Sequence, residues 1–286
     1  MSKCCPPEAS NNEQEQEKDE LRQTVREAYS KVANASNDGE STEFAGGCCG
    51  VSSDDQINQL VSTRLGYSQS DLDNTPAGAD MGLGCGNPRA IASLIEGEVV
   101  VDLGSGGGFD CFLAAPEVGE NGMVIGIDMT PDMVSKARNN AAKGKYTNVE
   151  FRLGEIEFMP IADNTVDVII SNCVINLSPN KPQVFKEAFR ILKFGGRLAI
   201  SDIVATSELP DEMRNDPALI SGCMGNASLI ADLEQMIKGA GFTQVAIKPK
   251  DESKQFIKDW TDNAYVTDYL VSATIEAIKP GETFAN

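Results

Sequence analysis

Eight cysteines stand in a chain that has no histidine, at positions 4, 5, 48, 49, 85, 111, 173 and 223. Without histidine, Ser-His and Cys-His nucleophile pairs and His-metal sites are excluded. The spacing holds no C-x-x-C pair of the kind that closes a zinc knuckle. What remains is thiol chemistry: ligation of soft, thiophilic centres and disulfide exchange. Cys173 is the most pointed case, because SNCVINLSPNK (171–181) follows the apolar run VDVII directly. That puts a thiol two residues beyond a strand end. Cys111 lies inside a helix and reads as a small buried hydrophobe.

A second chemical feature is DLGSGGG, Asp102 to Gly108, which follows an apolar run and opens a helix. Glycines there let the backbone turn sharply and approach a ligand without interference from Cβ atoms. A dinucleotide fingerprint would place glycine where Phe109 stands, so the spacing is D-x-G-x-G-x-G instead. Asp128 ends the next apolar run, 20 residues after Gly108, where a carboxylate can accept from two ribose hydroxyls. The pair points to a nucleoside-bearing ligand.

Elements to position these groups are legible from Pro88 onward, where strands alternate with helices, the pattern of a parallel sheet covered on both faces. Strands are expected at 98–103, 123–128, 149–153, 166–171, 197–202, 243–248 and 269–278. Helices are expected at about 108–117, 131–143, 180–193 and 228–239, the last with Asn226-Ala227-Ser228 as cap chemistry. In such sheets the ligand lies beyond the carboxyl ends of the strands. Cys173 and Cys223 follow the fourth and fifth strands on that edge. Upstream, Leu21, Val25, Ala28 and Val32 mark a helix over about 14–34, an arm that docks on something, and Ile57, Leu60, Val61 and Leu65 mark a second. The loop 66–87 carries Cys85, and 34–50 carries Cys48-Cys49 in GGCCG; both can fold over the same edge. The tail before about residue 12, with Cys4-Cys5, reads as disordered. Residues 250–268, with Trp260, form a lid or cover the sheet edge.

With 43 acidic against 24 basic residues the net charge is -19, which excludes nucleic acid and anionic membranes as partners. There is no signal-peptide pattern and no apolar run of about 18 residues, so a cytoplasmic protein is expected. In a reducing compartment the eight thiols form no structural disulfides.

The glycine loop, Asp128 and the flanking strands resemble class I S-adenosylmethionine-dependent methyltransferases over about residues 88–248. The resemblance implies a seven-stranded, doubly wound, Rossmann-like sheet ending in an antiparallel hairpin, with a helical arm and a loop cap. It divides the chain into 1–35 (tail and arm), 36–87 (Cys-containing cap), 88–248 (core) and 249–286 (completing the sheet). It also implies that Gly104 and Gly106 pass the methionine part, Asp128 holds the ribose, Met129 lies against adenine, and Glu155 and Ile156 line the adenine pocket; Asp102 and Ser105 are expected to bind the cofactor as well, with Asn172 near its methionine moiety.

Five strings carry a closer resemblance, to arsenite S-adenosylmethionine methyltransferases: GYSQSDLDNTPAGADMGLGCGNP, DLGSGGGFDCFLAA, GIDMTPDMVSKAR, SNCVINLSPNK and LKFGGRLAISDI. Cys85, Cys173 and Cys223 match that family's arsenic-site cysteines, and either Cys48 or Cys49 its most N-terminal one. The implied activity is methylation of thiol-bound arsenite to mono- and dimethylated arsenicals, without a metal cofactor. Cys85 and Cys48 or Cys49 would supply electrons through a disulfide, restored by thioredoxin or glutathione. Trivalent arsenic suits these residues, since it takes up to three thiolates and keeps a lone pair that carries no proton. Two alternatives stay open: a methyltransferase for a small organic acceptor such as a quinone or sterol, and a non-catalytic metalloid-binding or S-adenosylmethionine-binding protein.

Overall fold

The strands form because short runs of β-branched and apolar residues, such as VVVDL and VDVIISN, are buried on both faces. The computed structural model describes residues 11–38, 55–261, 263 and 265–281. Its seven strands are β1 Val99–Leu103, β2 Met123–Asp128, β3 Val149–Leu153, β4 Val166–Asn172, β5 Leu192–Ala205, β6 Thr243–Lys250 and β7 Leu270–Ile278. They lie in one sheet, in the order β3-β2-β1-β4-β5-β7-β6. β1 to β5 are parallel, whereas β7 is antiparallel to both β5 and β6. Alternation along β1 sends Val101 and Leu103 into one core cluster and Val100 into the other, so each face has its own core.

Helices α1 Asn11–Asp38, α2 Asp55–Arg64, α3 Gln69–Asp73 and α4 Arg89–Ala92 precede the sheet. Within it come α5 Phe109–Val118, α6 Pro131–Gly144, α7 Lys181–Ile191, α8 Asp211–Arg214, α9 Pro217–Ser221, α10 Ile230–Gly239, α11 Lys254–Ile257 and α12 Val266–Tyr269. Strand order reverses between β1 and β4, and this opens a crevice at their carboxyl ends. The loops after β1 and β4 cross closely there: a Cβ on Gly104 would come within 2.4 Å of the Val174 side chain.

Three expectations need correction. LKFGGRL, expected to begin with the last residues of a helix, is strand from Leu192 onward. Leu192 pairs with Val166 and Arg197 with Val168, so the segment holding Gly195 and Gly196 bulges out of register. Asn226 and Ser228 do not cap α10, whose cap position, Leu229, makes no side-chain bond. They serve the loops above the sheet instead: Asn226 Nδ2 donates to the carbonyl oxygens of Asn176 and Ser178, and Lys181 Nζ donates to Ser228 Oγ. Finally, 66–87 is not wholly irregular: Ser68 closes a capping box on Asp71 and starts α3.

α1 extends beyond the expected 14–34 and lies over the crevice. Val25 packs in one cluster with Cys85, Cys173, Leu177 and Cys223, while Val32 and Ala33 pack against Met81 and Met133. Ile257, Trp260 and Val266 join the cluster that holds the thiols, so the described residues of 250–268 wall the carboxyl end of the sheet rather than its edge. Among the described residues no helix is long and apolar enough to cross a membrane.

Candidate active site

A cavity occupies the crevice, with the glycine loop on one wall and Cys173 and Cys223 on another. Gly104 and Gly106 both have left-handed backbone, φ 66° and 51°, which residues with a Cβ rarely adopt. The amides of Gly104 and Ser105 donate to the Ile127 carbonyl at 2.8 and 3.0 Å, which anchors the loop to the end of β2. Asp128, at that end, accepts from Gly106 N at 3.0 Å and Thr130 N at 2.8 Å. Burial raises its pKa and those two donors oppose the rise.

Below the loop lies a buried acidic pocket. Tyr67 Oη donates to Asp110 Oδ1 at 2.6 Å, and Asn172 Nδ2 donates to Gly86 O at 2.8 Å and Tyr67 Oη at 3.1 Å. Burial pushes Asp110 up to about 6, although Tyr67, Asn172 and Arg89 pull it down. Asp102 is raised well above the carboxylate range by burial and by Asp110. Cys111 is packed in the core, and its thiol also donates to Asp102 Oδ2 at 3.3 Å. Two buried acids that repel one another make a receptive place for a cation.

Three thiols from distant segments pack in one buried cluster, and two of them, Cys173 and Cys223, line the other wall. Cys85 and Cys173 have their sulfurs, with a carboxylate oxygen of Asp202, all within 4.8 Å of one another. Cys223 Sγ donates to the Cys173 carbonyl. All three are buried. Burial pushes the Cys85 thiol up, and a hydrogen bond with Cys173 opposes this. Asp202 is pushed up to about 7, chiefly by burial and then by Cys223. Soft donors with one carboxylate at the mouth of a nucleoside crevice suit a thiophilic centre.

Of the residues expected from sequence, Asp102, Gly104, Ser105, Gly106, Asp128, Met129, Ile156 and Asn172 all line the cavity. Glu155 does not: its carboxylate pairs with Arg22 at 3.5 Å and Arg26 at 3.4 Å of α1, and Glu157 lines the cavity instead. Cys48, Cys49, Cys4 and Cys5 lie outside the described residues. Tyr67, Asp110 and Asp202 were not anticipated. Asp110 sits in the first turn of a helix, where acids are ordinary. Asp202 had a usable signal, since it lies near the carboxyl end of β5 as Asp128 ends β2.

A methyltransferase-domain family model matches residues 94–248. The chain is 50% identical to the arsenite methyltransferase of Halobacterium salinarum over 98% of its own length and 73% of that protein's. It is 37% identical to that of Aquipseudomonas alcaligenes over 78% of its length and 62% of that protein's. Among solved structures, an arsenic(III) S-adenosylmethionine methyltransferase from Chlamydomonas reinhardtii superposes with a TM-score of 0.58 at 32% identity, over 77% of this chain and 73% of that one. The sheet order, the glycine loop with its acidic partner and a relative half identical over nearly the whole chain agree: the chain belongs to the arsenite methyltransferase family of S-adenosylmethionine-dependent methyltransferases.

Proposed function

We propose that this protein transfers methyl groups from S-adenosylmethionine to trivalent arsenic held by Cys85, Cys173 and Cys223. The observation that carries the reading is that these three thiols, 138 positions apart from first to last in the chain, pack in one buried cluster, with Cys173 and Cys223 lining the cavity that also holds the glycine loop and Asp128. S-adenosylmethionine supplies an electrophilic methyl on a sulfonium. The residues present fit its parts: Asp128 has acceptors for ribose hydroxyls, Gly104 and Gly106 leave room for the methionine chain, and Asp102 with Asp110 suits the ammonium. The thiols bind and orient the arsenic so that its lone pair can face the methyl donor, which supplies the proximity term. That lone pair bears no proton, so the transfer needs no general base.

Transfer leaves arsenic formally pentavalent, and a second methylation needs two electrons. We assign these to a cysteine pair, Cys85 with Cys48 or Cys49, whose disulfide thioredoxin or glutathione then reduces. Loss of Cys85, or of Cys48 and Cys49 together, is expected to slow arsenite methylation more than that of a monomethylated arsenical, which has one valence already occupied. Initial rates on the two substrates check this; equal losses would contradict the relay.

Asp110 gives the cofactor site a pH dependence. Below its value of about 6 the carboxyl is neutral and offers no charge to an ammonium; as pH rises through 6 the carboxylate forms. Cofactor affinity measured by calorimetry without arsenite is expected to rise, by up to about tenfold per pH unit, between pH 5 and 6 and to level off above it. A flat profile would remove Asp110 from the ammonium contact.

The function is tested with purified protein, labelled S-adenosylmethionine, arsenite and glutathione. Label is expected in methylated arsenicals. Label passing instead to a quinone or sterol acceptor, or arsenite binding with no transfer, would overturn the proposal.

A further inference from the structure

Cys173 and Cys223 share an unusual backbone: φ is 59° at the first and 62° at the second. Residues with a Cβ rarely enter that left-handed region, and they stay there only where the surroundings over-determine it. Here the surroundings are two buried polar side chains, Asn176 and Asp202, that serve both segments. The Cys173 amide donates to Ser201 O at 2.8 Å, and two residues on the Ile175 amide donates to Asp202 Oδ2 at 2.9 Å. Asp202 Oδ1 accepts from Asn176 Nδ2 at 2.9 Å and from the Ile203 amide at 2.7 Å. The same Asn176 Nδ2 also reaches Ile203 O at 2.7 Å and Cys223 O at 3.1 Å. A carboxylate and two carbonyls are all acceptors, so only the NH2 end of the amide can face them.

We propose that Asn176 and Asp202 act as a polar clasp that sets the separation of the Cys173 and Cys223 sulfurs, making them positioning residues for the arsenic site. Asp202 ties the turn after Cys173 to β5, and Asn176 ties that turn to the Cys223 carbonyl. Asn226, three residues beyond Cys223, returns the tie by donating to Asn176 O at 2.9 Å. Arsenic held by three sulfurs requires them at fixed distances, and side chains behind the ligands that fix their orientation typically govern affinity by about 10- to 100-fold. The proposal rests on the three-thiol reading above.

The test compares wild-type protein, Asn176→Ala, Asp202→Asn and Asn180→Ala. Asn180 caps α7 by accepting from the Gln183 amide, so its loss lowers stability without touching the clasp. X-ray absorption on arsenite-loaded protein is expected to show three sulfurs around arsenic in wild type and Asn180→Ala, and fewer in Asn176→Ala. Arsenite affinity should fall about 10- to 100-fold in Asn176→Ala, with KM for arsenite rising more than kcat falls and with unchanged S-adenosylmethionine affinity. Asp202→Asn has nearly the same volume and should show the same changes, so it carries the test if Asn176→Ala fails to fold. If both clasp variants lose only melting temperature, as Asn180→Ala does, and keep three sulfurs, the clasp is refuted. Fewer than three sulfurs in the wild-type protein would overturn the three-thiol reading, and the clasp with it.

Discussion

Cys173→Ser and Cys223→Ser are each expected to abolish methylation of every arsenical while leaving S-adenosylmethionine affinity unchanged. The change is one atom, sulfur to oxygen, at sites where both side chains are buried. A hydroxyl is a hard donor with a pKa far above the working range, so it cannot replace a thiolate on a soft centre. Backbone demands do not change, because serine meets the same steric limit as cysteine at φ near 60°. The groups fitted to the cofactor, the glycine loop and Asp128, belong to β1 and β2 and keep their contacts. Methylation assays alongside cofactor titrations check the pair of outcomes. Normal turnover in either variant would remove that sulfur from the site, and parallel loss of cofactor binding would point to a collapsed crevice.

Asp128→Ala should weaken S-adenosylmethionine binding by about 10²-fold or more. Hydrogen bonds to a charged acceptor contribute about 1.5 to 3 kcal/mol each, and a ribose offers two hydroxyls. The same carboxylate accepts from the Gly106 and Thr130 amides, so alanine also releases the glycine loop. Asp128→Asn separates the two effects, since its single side-chain oxygen keeps one of these acceptors. Its loss should be intermediate. Calorimetry on the three proteins checks the ranking, and equal cofactor affinity in wild type and Asp128→Ala would exclude Asp128 as the ribose clamp.

The sheet was legible because each central strand is a short apolar run and Asp102 and Asp128 fall at carboxyl ends. The start of β5 was not, because Gly195-Gly196 looks like a turn yet forms a bulge within the strand. Sequence placed Cys173 and Cys223 on one edge through their strands, but the arrival of Cys85 depends on tertiary bonds, its amide to Asn172 Oδ1 at 3.0 Å and its carbonyl to Ser272 Oγ. The docking of α1 was expected without its target; Arg22 and Arg26 pair with Glu155, and it is Glu157, two residues on, that lines the cavity. Asn176 was hidden for a different reason. A polar residue after a strand looks like loop surface until folding buries it between two segments 47 positions apart.

Methyl transfer to arsenic is measured most directly in a single turnover with enzyme in excess over methyl-labelled S-adenosylmethionine, in the presence of arsenite. All label is expected in a monomethylated arsenical, with one S-adenosylhomocysteine formed for each methylarsenic. Arsenite bound to the protein with the label still on S-adenosylmethionine, or S-adenosylhomocysteine formed without any methylarsenic, would contradict that transfer.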